Sequence, residues 1–331
     1  MMHLVSDASR VATMNNNLWL CVAAALLGFV RAAPRVERPL VEVAQGKVLG
    51  EARQDHGVSY LAFEGIPFAR PPTRSLRFKD PEPAEAWEGE LDASSLPPPC
   101  AQFVLGGRED CLYLNVYAPQ NALDAEKPLP VMVFIHGGGF YMGAALNNHG
   151  FQPMVAKGVI VVAMQYRLGV LGFLSTEDPV APGNLGLKDQ TLALRWIKDN
   201  IAFFGGDSDR ITLYGGSAGA ASVHYQMLAP AAADVSHGDN KQYNTQPGYG
   251  KLNTTGDIIV GDFITSTWTN FAKTMNPTPD DSLALTWETA TSENLRHLAI
   301  TPAPAMEDDQ RAVNRAFWRT LPLRLNGLMN E

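Results

Sequence analysis

Residues 215–219 read Gly-Gly-Ser-Ala-Gly, a G-x-S-x-G pattern in which Ser217 has the position of a nucleophile. The β-branched and aromatic run at 211–214 predicts a short buried strand, and residues 220–228 have the composition of a helix. A strand, a tight turn and a helix together place such a serine at a sharp elbow, with its hydroxyl exposed near the helix N-terminus. Glycine and alanine are frequent in this chain, so the motif alone also fits a structural turn. The flanking elements favour the nucleophile.

A second glycine-rich stretch, HGGGF at residues 136–140, follows a predicted strand. Consecutive glycines allow backbone N–H groups to point into a cleft, which is how serine hydrolases of this architecture build an oxyanion hole. A flexible turn between strand and helix is the structural alternative. With a nucleophile elbow further along the same sheet, the stretch predicts an oxyanion hole.

The surrounding elements predict an α/β fold. Residues 129–135 and 159–164 are almost continuously apolar, as strands buried on both faces are, and residues 187–204 carry apolar side chains at helical spacing. Their alternation up to Leu228 indicates a mostly parallel central sheet. Ahead of it, short strand-like pieces at 41–69 predict a small antiparallel sheet.

Composition and the N-terminal stretch indicate a secreted globular protein. The 331 residues carry a net charge of −8, which argues against nucleic acid and against a basic membrane-binding face. The sequence has no apolar run of about 18 residues or more, so we expect no membrane span. The apolar stretch 18–30 and the small residues after it predict a signal peptide at 1–32, with Met14 as an alternative start. A short buried helix is the other interpretation of this stretch.

Cysteine usage agrees with secretion. Cys21 would leave with the signal peptide, and the remaining Cys100 and Cys111 are most simply one short-loop disulfide. Asn253 begins the sequon Asn-Thr-Thr and is the expected glycosylation site. We expect no metal ion and no cofactor.

Five motifs occur in the order typical of one family: EDCLYLNV at 109–116, HGGGF at 136–140, YRLG at 166–169, PGNLGLKDQ at 182–190, and FGG followed by GGSAG between 204 and 219. They resemble the type-B carboxylesterases, the carboxylesterase/cholinesterase family, and most of all its secreted arthropod members. The resemblance runs from residue 40 to about 229. It implies an α/β-hydrolase fold and hydrolysis of a small-molecule ester at Ser217.

The same resemblance implies the roles of several further residues. The oxyanion donors would be the backbone amides of Gly138, Gly139 and Ala218. Cys100 and Cys111 would be paired. Structural ion pairs would join Arg77 to Glu109 and Arg167 to Asp189.

After residue 229 the family pattern breaks. The family would continue with further strands and the loop that bears the acid of the catalytic triad, whereas here VSHGD at 235–239 already resembles the loop of the catalytic histidine, His237. The later segments at 268–273, 276–279 and 317–322 again resemble the family. We therefore interpret residues 33–331 as one α/β-hydrolase domain, internally deleted near 229–234 and truncated on its C-terminal side. The apolar pattern at 257–273 predicts a helix that packs against an apolar surface.

The break bears on function, because the chain order in α/β-hydrolases is serine, acid, histidine. No acid from a family position lies between Ser217 and His237, and Asp234 and Asp239 are too close to His237 in sequence to orient it well. The sequence thus predicts a carboxylic ester hydrolase impaired in this form. The alternatives are a non-catalytic binder of hydrophobic ligands, and a splice or gene-model product that misfolds. The sequence leaves the oligomeric state open.

Overall fold

The computed structural model describes residues 38–146, 150–178, 180–229, 254–289 and 296–308. Its strands are β1 Leu40–Val43, β2 Gly46–Leu49, β3 Glu51–Asp55, β4 Val58–Pro67, β5 Glu90–Asp92, β6 Tyr113–Pro119, β7 Leu129–Ile135, β8 Ile160–Met164, β9 Gly206–Gly215, β10 Arg296–Ala299 and β11 Ala305–Asp308. Its α-helices are α1 Gln152–Ala156, α2 Gly169–Phe173, α3 Leu185–Asn200, α4 Ala218–Leu228 and α5 Thr255–Thr274. The predicted signal peptide, His237 and Asn253 lie outside the described residues.

A six-stranded sheet in the order β3-β4-β6-β8-β7-β9 forms the centre of the described structure. Only the pairs β7–β8 and β7–β9 are parallel, while β3–β4, β4–β6 and β6–β8 are antiparallel. The described sheet is therefore mixed, and the expectation of a mostly parallel sheet needs correction. Parallel neighbours require a crossover, usually helical, and here helices lie between β7 and β8 and between β8 and β9.

The expectation of a separate antiparallel sheet at residues 41–69 holds only in part. Strands β1 and β2 pair antiparallel and β5 joins them in a three-stranded sheet, but β3 and β4 belong to the central sheet. Strand β4 has five consecutive buried residues, so it fits an interior position better than a peripheral one. Strands β10 and β11 form a two-stranded sheet of their own.

The predicted core strands agree closely with β7 and β8, and their side chains alternate between two hydrophobic cores. Val131, Val133 and Ile135 pack with α3 and α4 residues on one face, and Met132 and Phe134 pack on the other. Burial on both faces explains why these strands are apolar at almost every position. The two cores fix the carboxyl ends of β7 and β9, where the glycine-rich motifs lie.

Helix α5 supplies the partner for the second face, as its apolar pattern predicts. Trp268 lies 5.8 Å from Tyr214 of β9, measured between ring centroids, and Phe263 and Phe271 are also buried. Ile259 lies within the apolar pattern predicted at 257–273, but 45% of its surface is exposed. No helix within the described part of the chain is long and apolar enough to cross a membrane.

Candidate active site

Ser217 occupies a sharp elbow between β9 and α4. Strand β9 ends at Gly215 and α4 begins at Ala218, with Ser217 between them at φ 55° and ψ −123°. A residue with a Cβ rarely adopts this backbone conformation, and such strain concentrates at functional sites. The Ser217 residue is exposed, and it precedes the N-terminus of an eleven-residue helix, whose dipole favours negative charge.

Small residues around the serine allow two backbone segments to approach each other. A Cβ on Gly215 would lie 2.5 Å from the carbonyl oxygen of Ile135, and one on Gly219 would collide with the same oxygen. The end of β7 and the elbow are thus in direct backbone contact. Glycine is needed at both positions because of this contact, and it brings the second motif to the serine.

That second motif forms a tight turn directly after β7. Gly138, Gly139 and Phe140 all have positive φ, at 110°, 60° and 64°. The carbonyl oxygen of Gly138 accepts hydrogen bonds from the amides of Tyr141 and Met142, both at 3.1 Å. Neither the Gly138 nor the Gly139 amide donates a hydrogen bond to another described residue. Residues 136–143 are called the glycine turn below.

The glycine turn lies against the elbow. A Cβ on Gly137 would collide with the carbonyl oxygen of Gly216 and would lie 3.3 Å from the Cβ of Ser217. Ala218 is the first residue of α4, so its amide has no acceptor within the helix. The two segments predicted to carry the oxyanion donors are therefore adjacent at one exposed serine, as an oxyanion hole requires.

Buried aromatic contacts hold the start of the glycine turn. The Tyr166 hydroxyl donates to the carbonyl oxygen of His136 at 2.8 Å, and the two rings stack at 4.3 Å with an interplanar angle of 16°. Burial raises the pKa of Tyr166, which keeps this hydroxyl protonated as a donor. His136 itself is 2% exposed. The buried, stacked His136 ring therefore supports the glycine turn at its first residue.

A buried polar network fixes α4 against α3. The Gln190 side chain donates to the Ser222 hydroxyl at 3.0 Å, and the Thr191 hydroxyl donates to the Gln226 side chain at 2.8 Å. Gln226 in turn donates to the carbonyl oxygen of Leu187 at 2.9 Å. Because α4 begins immediately after Ser217, these bonds also fix the direction in which the elbow leaves the sheet.

The covalent and ionic links implied by the family resemblance are all present. Cys100 and Cys111 form a disulfide, with their Cα atoms 4.9 Å apart. Arg77 binds Glu109 through two hydrogen bonds of 2.7 Å. Arg167 binds Asp189 at 2.6 and 2.8 Å. Complete burial raises the pKa of the Asp189 carboxyl, while the guanidinium of Arg167 acts in the opposite direction.

The structure thus places Gly137, directly before Gly138 and Gly139, against Ser217, with Ala218 next along the chain. His237 lies outside the described residues. The Ser217 hydroxyl makes no hydrogen bond to another residue of the described ranges. Nor do the described residues contain a cluster of His, Cys, Asp or Glu side chains suited to a metal ion. The roles of Ser217, Gly138, Gly139 and Ala218 stay predictions that this geometry supports.

Several supporting residues were not found from the sequence. Tyr166 and Gln190 lie within the family motifs, but their contacts to His136 and Ser222 join segments far apart in sequence. Gln102 was also missed: its side chain binds Gly143, at the end of the glycine turn. The only available signal was its position two residues after a cysteine.

Comparison with protein families matches the Carboxylesterase family over residues 37–239. Among curated proteins, the juvenile hormone esterase of Tribolium castaneum is 46% identical over 203 residues, which is 59% of this chain and 34% of that protein. A carboxylic ester hydrolase of Bombus ignitus is 44% identical over 226 residues, 65% of this chain and 40% of that protein.

A mammalian protein gives the same result. Human carboxylesterase 3 is 45% identical over 222 residues, 62% of this chain and 39% of that protein. The chain therefore spans well under half the length of these curated relatives. The matched stretch contains the glycine turn, the elbow and both ion pairs described above.

Proposed function

The chain belongs to the Carboxylesterase family, and from that premise we propose that it is a carboxylic ester hydrolase acting through an acyl-enzyme at Ser217. The observation that carries the proposal is the exposed serine at φ 55° and ψ −123°, in backbone contact with a glycine turn. A strained serine, next to a turn whose Gly138 and Gly139 amides donate to no described residue, has little use in a purely structural turn. It suits a reaction in which negative charge develops on a carbonyl oxygen.

In the proposed reaction, the Ser217 Oγ attacks the carbonyl carbon of a small-molecule ester while His237 accepts the hydroxyl proton. The oxygen of the tetrahedral intermediate accepts hydrogen bonds from the amides of Gly138, Gly139 and Ala218. The alcohol leaves with the proton returned by His237. Water then attacks the acyl-enzyme by the same route and releases the carboxylic acid.

We further propose that this form is a slow enzyme, because it lacks the acid of the triad. The domain at 33–331 would be internally deleted near 229–234, where the family pattern breaks. Asp234 and Asp239 flank His237 in sequence, which is a poor geometry for orienting an imidazole. Loss of the acid alone costs roughly 10⁴-fold in kcat in related triads.

Secretion and glycosylation complete the proposal. It includes cleavage of residues 1–32, or of a peptide that begins at Met14, and a glycan on Asn253. The Cys100–Cys111 disulfide agrees with an oxidising, extracellular compartment. N-terminal sequencing of the secreted protein and its mobility after glycosidase treatment test these two points.

A second candidate function is a non-catalytic binder of hydrophobic ligands. It is favoured by one observation, that the family pattern breaks after residue 229 and leaves no acid from a family position between Ser217 and His237. A histidine that no acid orients would leave the site able to bind an ester but not to cleave it.

Titration of the secreted protein with a fluorophosphonate, read by intact mass and peptide mapping, separates these functions. We expect one adduct, on Ser217, and slow hydrolysis of p-nitrophenyl acetate that S217A abolishes. H237A should lower the remaining rate at least about tenfold, because general-base assistance is worth about 10² or more.

Other outcomes point elsewhere. A folded monodisperse protein that never labels would indicate the binder, and absence of soluble protein would indicate a product without a stable fold. A full family-like rate that needs both Ser217 and His237 would contradict the proposed impairment, and Asp239 would then be the first acid to replace.

A further inference from the structure

The loop closed by the Cys100–Cys111 disulfide is a short, well-braced hairpin. The amide of Gln102 donates to the carbonyl oxygen of Gly106 at 2.7 Å, and the amide of Ala101 donates to that of Arg108 at 2.9 Å. Both chain ends of the loop are fixed by the covalent link. The backbone of Gln102 therefore has a defined position from which its side chain extends toward the glycine turn.

The Gln102 side-chain amide makes three hydrogen bonds. Its Nε2 donates to the carbonyl oxygen of Gly143 at 2.7 Å and to that of Cys100 at 3.0 Å. Its Oε1 accepts from the amide of Gly143 at 2.9 Å. The two bonds to Gly143 are reciprocal, so they fix both the distance and the orientation of that residue, as a backbone pair in a sheet does.

Gly143 transmits this constraint to the glycine turn. Its φ is 117°, and a Cβ on it would collide with the carbonyl oxygen of Gly137 and lie 2.5 Å from the His136 Nδ1. The segment between is closed by the bonds from Tyr141 and Met142 to the carbonyl oxygen of Gly138. A displacement of Gly143 would therefore move the peptide groups that carry the Gly138 and Gly139 amides.

We propose that Gln102 is a positioning residue for the oxyanion hole. From its fixed place in the disulfide-closed loop, its side chain holds Gly143, and Gly143 in turn fixes the position of the glycine turn. The inference rests on the proposed function for its effect on chemistry. Oxyanion donors are effective only when they are already aimed at the place where charge develops, and loss of one donor costs about 10²–10³ in kcat. Displacement of the turn should slow the reaction less than loss of a donor does, and we expect the rate constant of the chemical step to fall about tenfold.

The test uses Q102M, which keeps the side-chain length but removes all three hydrogen bonds. F103S is the matched control, because Phe103 is in the same loop, is fully exposed and makes no side-chain hydrogen bond in the described structure. The first measurement is residue-level hydrogen exchange of the Tyr141 and Met142 amides, which bond to Gly138 and not to Gln102. We expect faster exchange in Q102M and no change in F103S.

The second measurement separates binding from chemistry. Fluorophosphonate labelling of Ser217 gives the binding constant of the reagent and the rate constant of phosphonylation. Q102M should lower the phosphonylation rate constant about tenfold and leave the binding constant within about twofold, because the amides act on the charged intermediate. A tether with only a structural role would lower the urea midpoint without changing the phosphonylation rate constant of the folded protein.

A double-mutant cycle with C100S/C111S tests whether the loop acts on the glycine turn through Gln102. If the loop acts on the turn through Gln102, then Q102M should have a much smaller effect on the phosphonylation rate constant without the disulfide than with it. Should Q102M not fold, the cysteine variant alone carries the test, with the same two readouts and the same expected direction.

The outcomes are distinguishable. Unchanged exchange at Tyr141 and Met142 in Q102M overturns the inference, and so does faster exchange with an unchanged phosphonylation rate constant. If Ser217 of the natural sequence never labels, the proposed function fails. The exchange measurement then decides whether Gln102 holds the turn.

Discussion

The two arginine–carboxylate pairs contain the same groups in opposite surroundings. Arg167 and Asp189 have side-chain exposures of 4% and 0%, whereas Arg77 and Glu109 have 46% and 27%. Both pairs are bidentate, and their hydrogen bonds have similar lengths. Contact geometry alone would rank them as equals.

Their surroundings separate two regions of the molecule. The inner region, made of β7–β9, α3 and α4, fixes the elbow with polar groups that are mostly buried. The outer region, the loop between Cys100 and Cys111 with Glu109 in it, is fixed by one covalent bond and by groups that water also solvates. We therefore expect the inner contacts to dominate stability and the outer region to depend on its disulfide.

The largest effect should follow from breaking the buried pair. D189N removes the charge that compensates Arg167 and weakens the bond to the Arg167 amide, so it should lower the free energy of unfolding by about 3–5 kcal/mol. Urea denaturation of the secreted protein measures this. A loss below about 1 kcal/mol would mean that water reaches Arg167, and the inner region would then not differ from the outer one.

Opening the outer loop should come next. In C100S/C111S the unfolded chain regains the freedom that a link between residues 11 positions apart removes, and we expect a loss of about 3 kcal/mol. Urea denaturation of C100S/C111S and of the oxidised natural sequence gives the value, and the reduced and alkylated natural sequence is the control for the serine substitutions. Equal stability of the oxidised and reduced proteins would show that Gln102 and the hairpin bonds alone hold the loop.

A smaller effect should reveal the strain stored at the elbow. S217A keeps a Cβ at φ 55° and ψ −123°, whereas S217G relieves it, so S217G should be more stable than S217A by about 1 kcal/mol. Both variants lack the nucleophile, which makes S217A the matched control. Thermal unfolding of the two proteins side by side decides the point. If S217A were the more stable variant, the backbone at the elbow would have to relax when the hydroxyl is removed.

The smallest effect should come from the exposed pair. E109Q leaves Arg77 in water, and we expect a loss of stability smaller than in the other three variants, which shrinks further with added salt. Urea denaturation at low and high ionic strength measures both the loss and its salt dependence. An effect as large as that of D189N would remove the contrast between the two regions.

The sequence alone determined the parts of the site that depend on neighbours in the chain. The strand before Ser217, the helix after it, the glycine turn and the core strands β7 and β8 all follow from local periodicity and from glycine positions. The family resemblance added the disulfide and both ion pairs. Local patterns suffice here because each feature requires particular types of consecutive residues: a strand buried on both faces needs an apolar run, and a turn with positive φ needs glycines.

The tertiary structure alone decided which further distant segments meet. It placed β3 and β4 in the central sheet, left Ile259 exposed on α5, and brought the Gln102 side chain to Gly143, 41 residues further along the chain. A glutamine in a loop has no periodicity that would reveal its partner. Its role is set by the path of two segments, and that path is fixed by the packing of both cores and by the disulfide.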